Sequence, residues 1–238
     1  MALLALAVLL PGCVAYEYEH EFWLQVGGAG TVHITGRPEL WTSFKNLRPA
    51  GEPGGLADRE AVRALLARSG LNVRRVTLTR RAGRAYLFVS ADFEDLNALA
   101  GSEAFPDLDV SLVRVGDRLR LSGVWRRPPV APDVPGLAAD GLMAVRFHLP
   151  SKVYAHDHAF AGVERGNIVA WRQTVAQGLD GRDLRFGALM DRSSILGATV
   201  VLFVAAILLA LSLLALGLYL VFRKGRRELQ DRARQPEV

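Results

Sequence analysis

The chain has 238 residues, 50% of them hydrophobic, and carries 29 basic and 24 acidic side chains for a formal net charge of +5. Six of the basic and three of the acidic residues lie from Arg223 onward, leaving 23 and 21 in the preceding chain; most of the excess belongs to a tail, which argues against the basic stripe of a nucleic-acid-binding domain. A single cysteine, Cys13, excludes any disulfide within the chain, so the fold rests on its core alone.

Residues 1–13, MALLALAVLLPGC, form an apolar run that ends in a small residue and then Cys13, the pattern of an export segment. Leu10-Pro11-Gly12-Cys13 resembles the lipobox of bacterial lipoproteins. That resemblance implies a diacylglycerol on the Cys13 thiol and cleavage that makes Cys13 the new N-terminus. About 180 residues then precede the last apolar stretch, enough for one domain with a real core, residues 14–194.

Tyr16 to Val26 alternates with period two, which predicts a half-buried strand with Glu17, Glu19 and Glu21 on one face and Tyr16, Tyr18, His20, Phe22 and Leu24 on the other. Glutamates at alternate strand positions read first as a solvated face. The turn Gly27-Gly28-Ala29-Gly30 leads into a second strand, Thr31 to Thr35, with Val32 and Ile34 inward. Pro38 to Leu47 is predicted as a short helix that starts on proline and buries Leu40, Trp41, Phe44 and Leu47. Arg48 to Gly55 is a loop, and Asp58 is the predicted N-cap of a helix through Ser69 that Gly70 ends. Leu71–Thr79 and Ala85–Phe93 read as strands joined by a basic tip, Arg80 to Arg84. A short helix over Phe93–Ala100 should bury Leu96 and Leu99. Val110–Val115 and Arg118–Trp125 flank Gly116-Asp117 as a hairpin. Residues 126–140 hold four prolines and no periodicity, a linker or extended loop inside the domain. Leu142–Leu149 is again a strand, with Met143, Val145, Phe147 and Leu149 on one face.

Pro150 to Trp171, PSKVYAHDHAFAGVERGNIVAW, is the most distinctive stretch of the domain. A strand ending in Pro150, Lys152 and Val153, a short polar stretch, then Gly166, Asn167 and Trp171 and a closing strand resemble the LppM / DUF3153 group of bacterial envelope lipoproteins. The resemblance implies an acylated cysteine, an α+β ectodomain and a single C-terminal span, and it carries no catalytic residue. Gly166-Asn167 reads physically as a turn that admits positive φ, and Trp171 as a side chain packed on the sheet.

His156-Asp157-His158 is the one compact group of candidate metal ligands. Two histidines two apart on a strand share a face, but zinc or copper needs a third and fourth ligand, so the group reads first as a solvated loop. The sequence contains no GxSxG elbow, Walker A loop, GxGxxG after a strand or HExxH. No catalytic residue and no cofactor are therefore assigned.

Ile195 to Phe222 is 28 residues without a charge. As a helix it would be roughly 42 Å long, against about 30 Å of bilayer hydrocarbon, so it is predicted to span with tilt. Arg223, Lys224, Arg226 and Arg227 follow at once. Short basic flanks stay in the cytoplasm, which predicts a single-pass protein of the bacterial cytoplasmic membrane with its main domain outside and residues 223–238 as a basic cytoplasmic tail.

The expected architecture is α+β: an antiparallel sheet with two or three short helices on one face, plus one C-terminal transmembrane helix. The expected role is a non-enzymatic membrane-anchored envelope protein whose exported domain binds a lipid-like ligand or a partner protein. The alternatives are an accessory subunit of a larger membrane complex and a metal-dependent envelope enzyme. A lipid carrier predicts a continuous apolar cavity lined by Tyr, Phe and Trp. A subunit predicts an exposed apolar patch or a polar stripe on the span. An enzyme predicts that His148, His156 and His158 converge with a carboxylate.

Overall fold

In the computed structural model the described residues are 16–45, 47, 56–81, 83–126, 141–157 and 162–233. The segment expected to direct export, with Cys13, the proline-rich stretch 127–140, and His158 lie outside them. The chain divides into two compact units, Met1–Ser194 and Ile195–Val238.

The first unit opens with β1 (Tyr16–Leu24) and β2 (Gly30–Gly36), paired antiparallel. Gly28 takes φ +93° in the turn between them, a conformation open to glycine and strained for other residues. Two helices follow, α1 (Pro38–Lys45) and α2 (Leu56–Arg68). Asp58 lies inside the first turn of α2, so it is not the N-cap that its residue type suggests. β3 (Asn72–Arg81) and β4 (Arg84–Phe93) extend farther toward each other than predicted, because Arg80 and Arg81 pair with Ala85 and Arg84. The helix expected over Phe93–Ala100 is one 3-10 turn, Leu96–Leu99. Phe93 stays in β4, and the Asp95 carboxylate accepts from the Asn97 N–H to start the turn at that point.

β5 (Leu108–Val115) and β6 (Arg118–Trp125) form the expected hairpin. β7 (Leu142–His148) follows, then β8 (Val153–Asp157), β9 (Gly162–Arg165) and β10 (Ile168–Thr174). His156 and Asp157 thus lie in a strand rather than in the loop expected for them. α3 (Val175–Leu179) starts on a capping box: the Gln177 N–H donates to Thr174 Oγ1 and the Thr174 N–H donates back to Gln177 Oε1. β11 (Leu184–Asp191) closes the unit.

The strands form two sheets rather than one. The larger has the order β3-β4-β2-β1-β7-β10-β9 and the smaller β5-β6-β11-β8. Pairing is antiparallel except at the centre of the larger sheet, where β1 lies parallel to β7. One apolar core takes side chains from both sheets and from α1 and α2. Its largest members are aromatic: Trp41, Trp125, Trp171, Phe22, Phe44, Phe105, Phe147 and Phe186 are all buried. Phe22 stacks on Phe147 at 4.7 Å across the parallel pair, and Phe147 meets Phe186 of the smaller sheet at 5.6 Å. Each fully buried ring of this kind favours the folded state by about 1.5–3 kcal/mol.

That core also holds charge. Lys45 at the end of α1 and Asp107 are both fully buried, 2.5 Å apart, and Trp125 Nε1 donates to the other Asp107 oxygen at 2.6 Å. Burial lowers Lys45 and raises Asp107 from their ordinary values, each opposed by the partner's charge. Next to them His20 is fully buried against Trp125 at 4.7 Å. Burial, then the charge of Lys45, holds its imidazole well below the ordinary value.

The second unit is α4 (Ile195–Ala233). Ile195–Arg226 is long and apolar enough to cross a membrane. The basic cluster from Arg223 to Arg227 belongs to the same helix, which continues to Ala233.

Candidate functional site

The glutamates of β1 lie on the face of the larger sheet turned away from the core, and they are not solvated. Glu17 is 7% exposed. It accepts from Arg84 Nη1 at 3.0 Å and from the Tyr86 hydroxyl at 3.3 Å. Glu19 pairs with Arg146 at 3.2 Å, and the same guanidinium reaches Glu21 at 3.3 Å. His148 Nε2 lies 2.7 Å from Glu21. Burial pushes the Glu21 carboxyl up, but the hydrogen bond to His148 and the charge of Arg146 outweigh it and hold the group below its usual range. Glu21 is therefore ionised at neutral pH.

Period-two alternation accounts for this arrangement. β1 places Glu17, Glu19, Glu21 and Trp23 on one side. Its parallel neighbour β7 places Arg146 and His148 on the same side, in register with Glu21 and Trp23. Tyr16 departs from the pattern. The register shifts between Tyr16 and Tyr18, and the Tyr16 ring meets Arg146 and Arg172 at 5.5 and 5.6 Å, on the glutamate face rather than the core face expected for it.

Beside this charged row stands an aromatic one. Trp23 stacks on His148 at 4.5 Å with 16° between the rings, and His33 of β2 lies 4.2 Å from Trp23. Phe88 of β4 continues the row, 5.2 Å from His33. Burial lowers His33 from its ordinary value, the nearby Glu21 charge opposing it, so the imidazole is neutral at neutral pH. The result is a half-buried surface with carboxylates and guanidinium alternating along one line and flat rings along the next. It offers fixed donors, fixed acceptors and an apolar plate to whatever lies on it. The sequence shows the period of Arg146 and His148 against Val145 and Phe147. That β7 would lie beside β1 is a long-range pairing that no local pattern carries.

The predicted site residues divide among several places. His148 belongs to this face, bound to Glu21. His156 sits in β8 of the smaller sheet, opposite Ala188, so the two histidines do not converge. Among the described residues there is no group of three or more His, Cys, Asp or Glu placed to hold a metal ion. Gly166 has φ +56°, as a turn requires, and the Asn167 amide donates to the Leu149 carbonyl, which ties that turn to the end of β7. Trp171 is fully buried against Phe186 at 5.7 Å, the packing role expected of it. Past Pro150, the Lys152 carbonyl accepts from the Asp191 N–H at 2.9 Å, and its ammonium lies 5.4 Å above the Tyr154 ring. Val153 pairs with Met190 and packs against the core.

The aromatic residues that a lipid pocket would need fill the core instead. The grooves among the described residues are open to solvent; they include one of about 350 Å³ on the smaller sheet, lined by Arg120, Ser122, Ala155, His156, Gly187 and Leu189 among others, one of about 380 Å³ beside Asp117, Asp191 and Ser193, and one of about 300 Å³ beside Gly101, Pro106 and Arg126. On α4, the hydroxyls of Thr199 and Ser212 donate to the Ile195 and Leu208 carbonyls of their own helix at 2.9 and 2.8 Å. They are satisfied internally and make no outward polar stripe.

Among known proteins, no family model and no curated protein matches the chain. A solved structure does resemble it: the NMR structure of the folded domain of Mycobacterium tuberculosis LppM, with a TM-score of 0.42 and 13% identity, covering 79% of this chain and 96% of that one.

Proposed function

We propose that this chain is a non-enzymatic, membrane-anchored envelope protein whose domain binds a lipid-like ligand or a partner protein on the outer face of its larger sheet. The observation that carries the reading is the joined group of Glu19, Glu21, Arg146 and His148, with Glu17 held by Arg84 on the same face, beside the rings of Trp23, His33 and Phe88. A folded surface that fixes so many charged groups in one geometry has lost their side-chain entropy before any ligand arrives. That favours recognition of a polar headgroup or a polar protein surface over sequestration of an acyl chain. The apolar stretch 195–222 and the arginines after it support an anchor whose C-terminus stays in the cytoplasm. In this reading the domain works outside, with Cys13 as a candidate second, lipid tether.

Native mass spectrometry of the full chain extracted in detergent tests this directly, since it weighs the N-terminus, any bound lipid and any bound protein together. The wild type should carry a bound species, and Trp23→Ala with His148→Ala should lose at least about tenfold in occupancy, the equivalent of about 1.4 kcal/mol. Equal occupancy in the double variant, with the fold intact by circular dichroism, would remove the outer face as the binding site.

A further inference from the structure

The smaller sheet has an outer surface of its own, distinct from the binding face of the larger sheet. Among the described residues of the first unit, the large hydrophobic side chains that stand exposed are Val113, Val115 and Tyr154, at 45%, 39% and 45%. Val113 and Val115 share one face of β5, and strand pairing brings Tyr154, about forty residues on, to the same outer face of the smaller sheet. One cross-strand row runs Val113, Arg120, Leu189, Ala155, and the next runs Val115, Arg118, Asp191. The Tyr154 hydroxyl donates to Asp191 Oδ2 at 3.1 Å, and Arg118 lies 4.2 Å over the Tyr154 ring, which adds Tyr154 to the second row.

The charge around these side chains is predominantly basic. Arg118 and Arg120 stand in these two rows and the Lys152 ammonium lies 5.4 Å from the Tyr154 ring, against Asp191 in the second row and Asp117 in the turn; Arg114 pairs with Leu119 and belongs to the other face. Asp191 is also engaged internally by Tyr154 and by both the N–H and hydroxyl of Ser193 at 3.0 Å. A few apolar side chains and an amphipathic tyrosine, flanked by basic residues, are what a bilayer interface accommodates: rings sit at headgroup level, and basic residues meet lipid phosphates. Chain length supplies the second argument. Only Arg192, Ser193 and Ser194 separate Asp191 from Ile195, where the membrane-crossing stretch begins. Four Cα steps reach at most about 14 Å. If residues 195–222 are in a bilayer, the row ending at Asp191 cannot be far from its surface.

We infer that Val113, Val115 and Tyr154, with their flanking basic residues, form a docking surface for the anionic headgroups of the bilayer that holds the chain. This rests on the membrane-anchored reading above. The surface fixes which end of the domain faces lipid, and so leaves the outer face of the larger sheet available to a ligand or partner.

Hydrogen–deuterium exchange on the full chain in lipid nanodiscs tests the inference, with phosphatidylcholine alone compared with equal parts phosphatidylcholine and phosphatidylglycerol. Peptides covering residues 112–119 and 153–156 should exchange several-fold more slowly in the anionic discs, while the arginine-bearing edge strand β3 should not change. Arg120→Gln and Lys152→Gln should each reduce that protection about fivefold, the factor per basic residue at an anionic surface. Val113→Asp with Val115→Asp, both exposed and harmless to the core, should abolish it. Equal protection in both kinds of disc, or equal protection of β3, overturns the inference while leaving the anchor in place. A chain that does not enter the discs overturns the anchored reading and this one with it.

Discussion

His20 shows how one side chain changes meaning with its surroundings. The strand period places it on the core face, and the fold closes Trp125, Phe22 and Phe105 around it. Burial and the Lys45 charge keep it neutral in the folded protein. An unfolded chain takes up that proton below about pH 6.5. The unfolded state then binds more protons, so acidification from about pH 6.5 toward the depressed folded-state value lowers stability, by at most about 1.4 kcal/mol per pH unit for this group. Denaturant unfolding of the detergent-solubilised protein at pH 7.5, 6.5 and 5.5 should show the decline. His20→Leu should flatten it by about that slope, even if the variant is less stable throughout. His33 is lowered in the same sense and will retain a smaller share. Lys45 and Asp107 belong to the same buried group. Removing one partner of such a pair leaves an uncompensated charge in the core, a loss of about 3–5 kcal/mol.

At the scale of elements, the smaller sheet depends on a close approach that only glycine permits. A Cβ at Gly123 would lie 2.4 Å from the Phe186 ring and 2.5 Å from the Asp109 carbonyl oxygen. Phe186 cannot retreat, because it is buried between Phe147 and Trp171, and the carbonyl is backbone. Gly123→Ala should therefore destabilise the domain by about 1–3 kcal/mol, as overpacking does. Gly27→Ala is the matched control: nothing lies within 4 Å of its added Cβ, so the change should stay within about 0.5 kcal/mol. Urea denaturation of the two variants side by side separates the cases. Edge strands are managed by charge. β3 ends the larger sheet with Arg74, Arg75, Arg80 and Arg81, a common guard against edge-to-edge pairing.

At the scale of the whole molecule, the division at Ser194–Ile195 separates a packed domain from a helix apolar along its membrane-length segment. The intact chain should stay with vesicles through alkaline carbonate extraction. External protease on spheroplasts should digest the domain and leave a fragment that retains residues 195–238. Release into the carbonate supernatant, or loss of the last fifteen residues with the domain spared, would refute the anchor or its direction. Much of this plan is legible in the amino-acid order alone. Alternation along 16–24, 118–125 and 142–149 and the uncharged run 195–222 are local signals, because the period of burial and the length of a bilayer-crossing helix are written in adjacent residues. The sequence by itself thus determined the α+β class, the faces of the principal strands and one membrane-length helix. Only the tertiary structure decided that the strands form two sheets, that β1 lies parallel to β7, and that Glu17, Glu19 and Glu21 meet Arg84, Arg146 and His148 rather than water. It likewise gathered Val113, Val115 and Tyr154 onto one surface. Each of these depends on pairing residues far apart in the chain, and pairing is selected by the packing of the whole core rather than by any stretch within it.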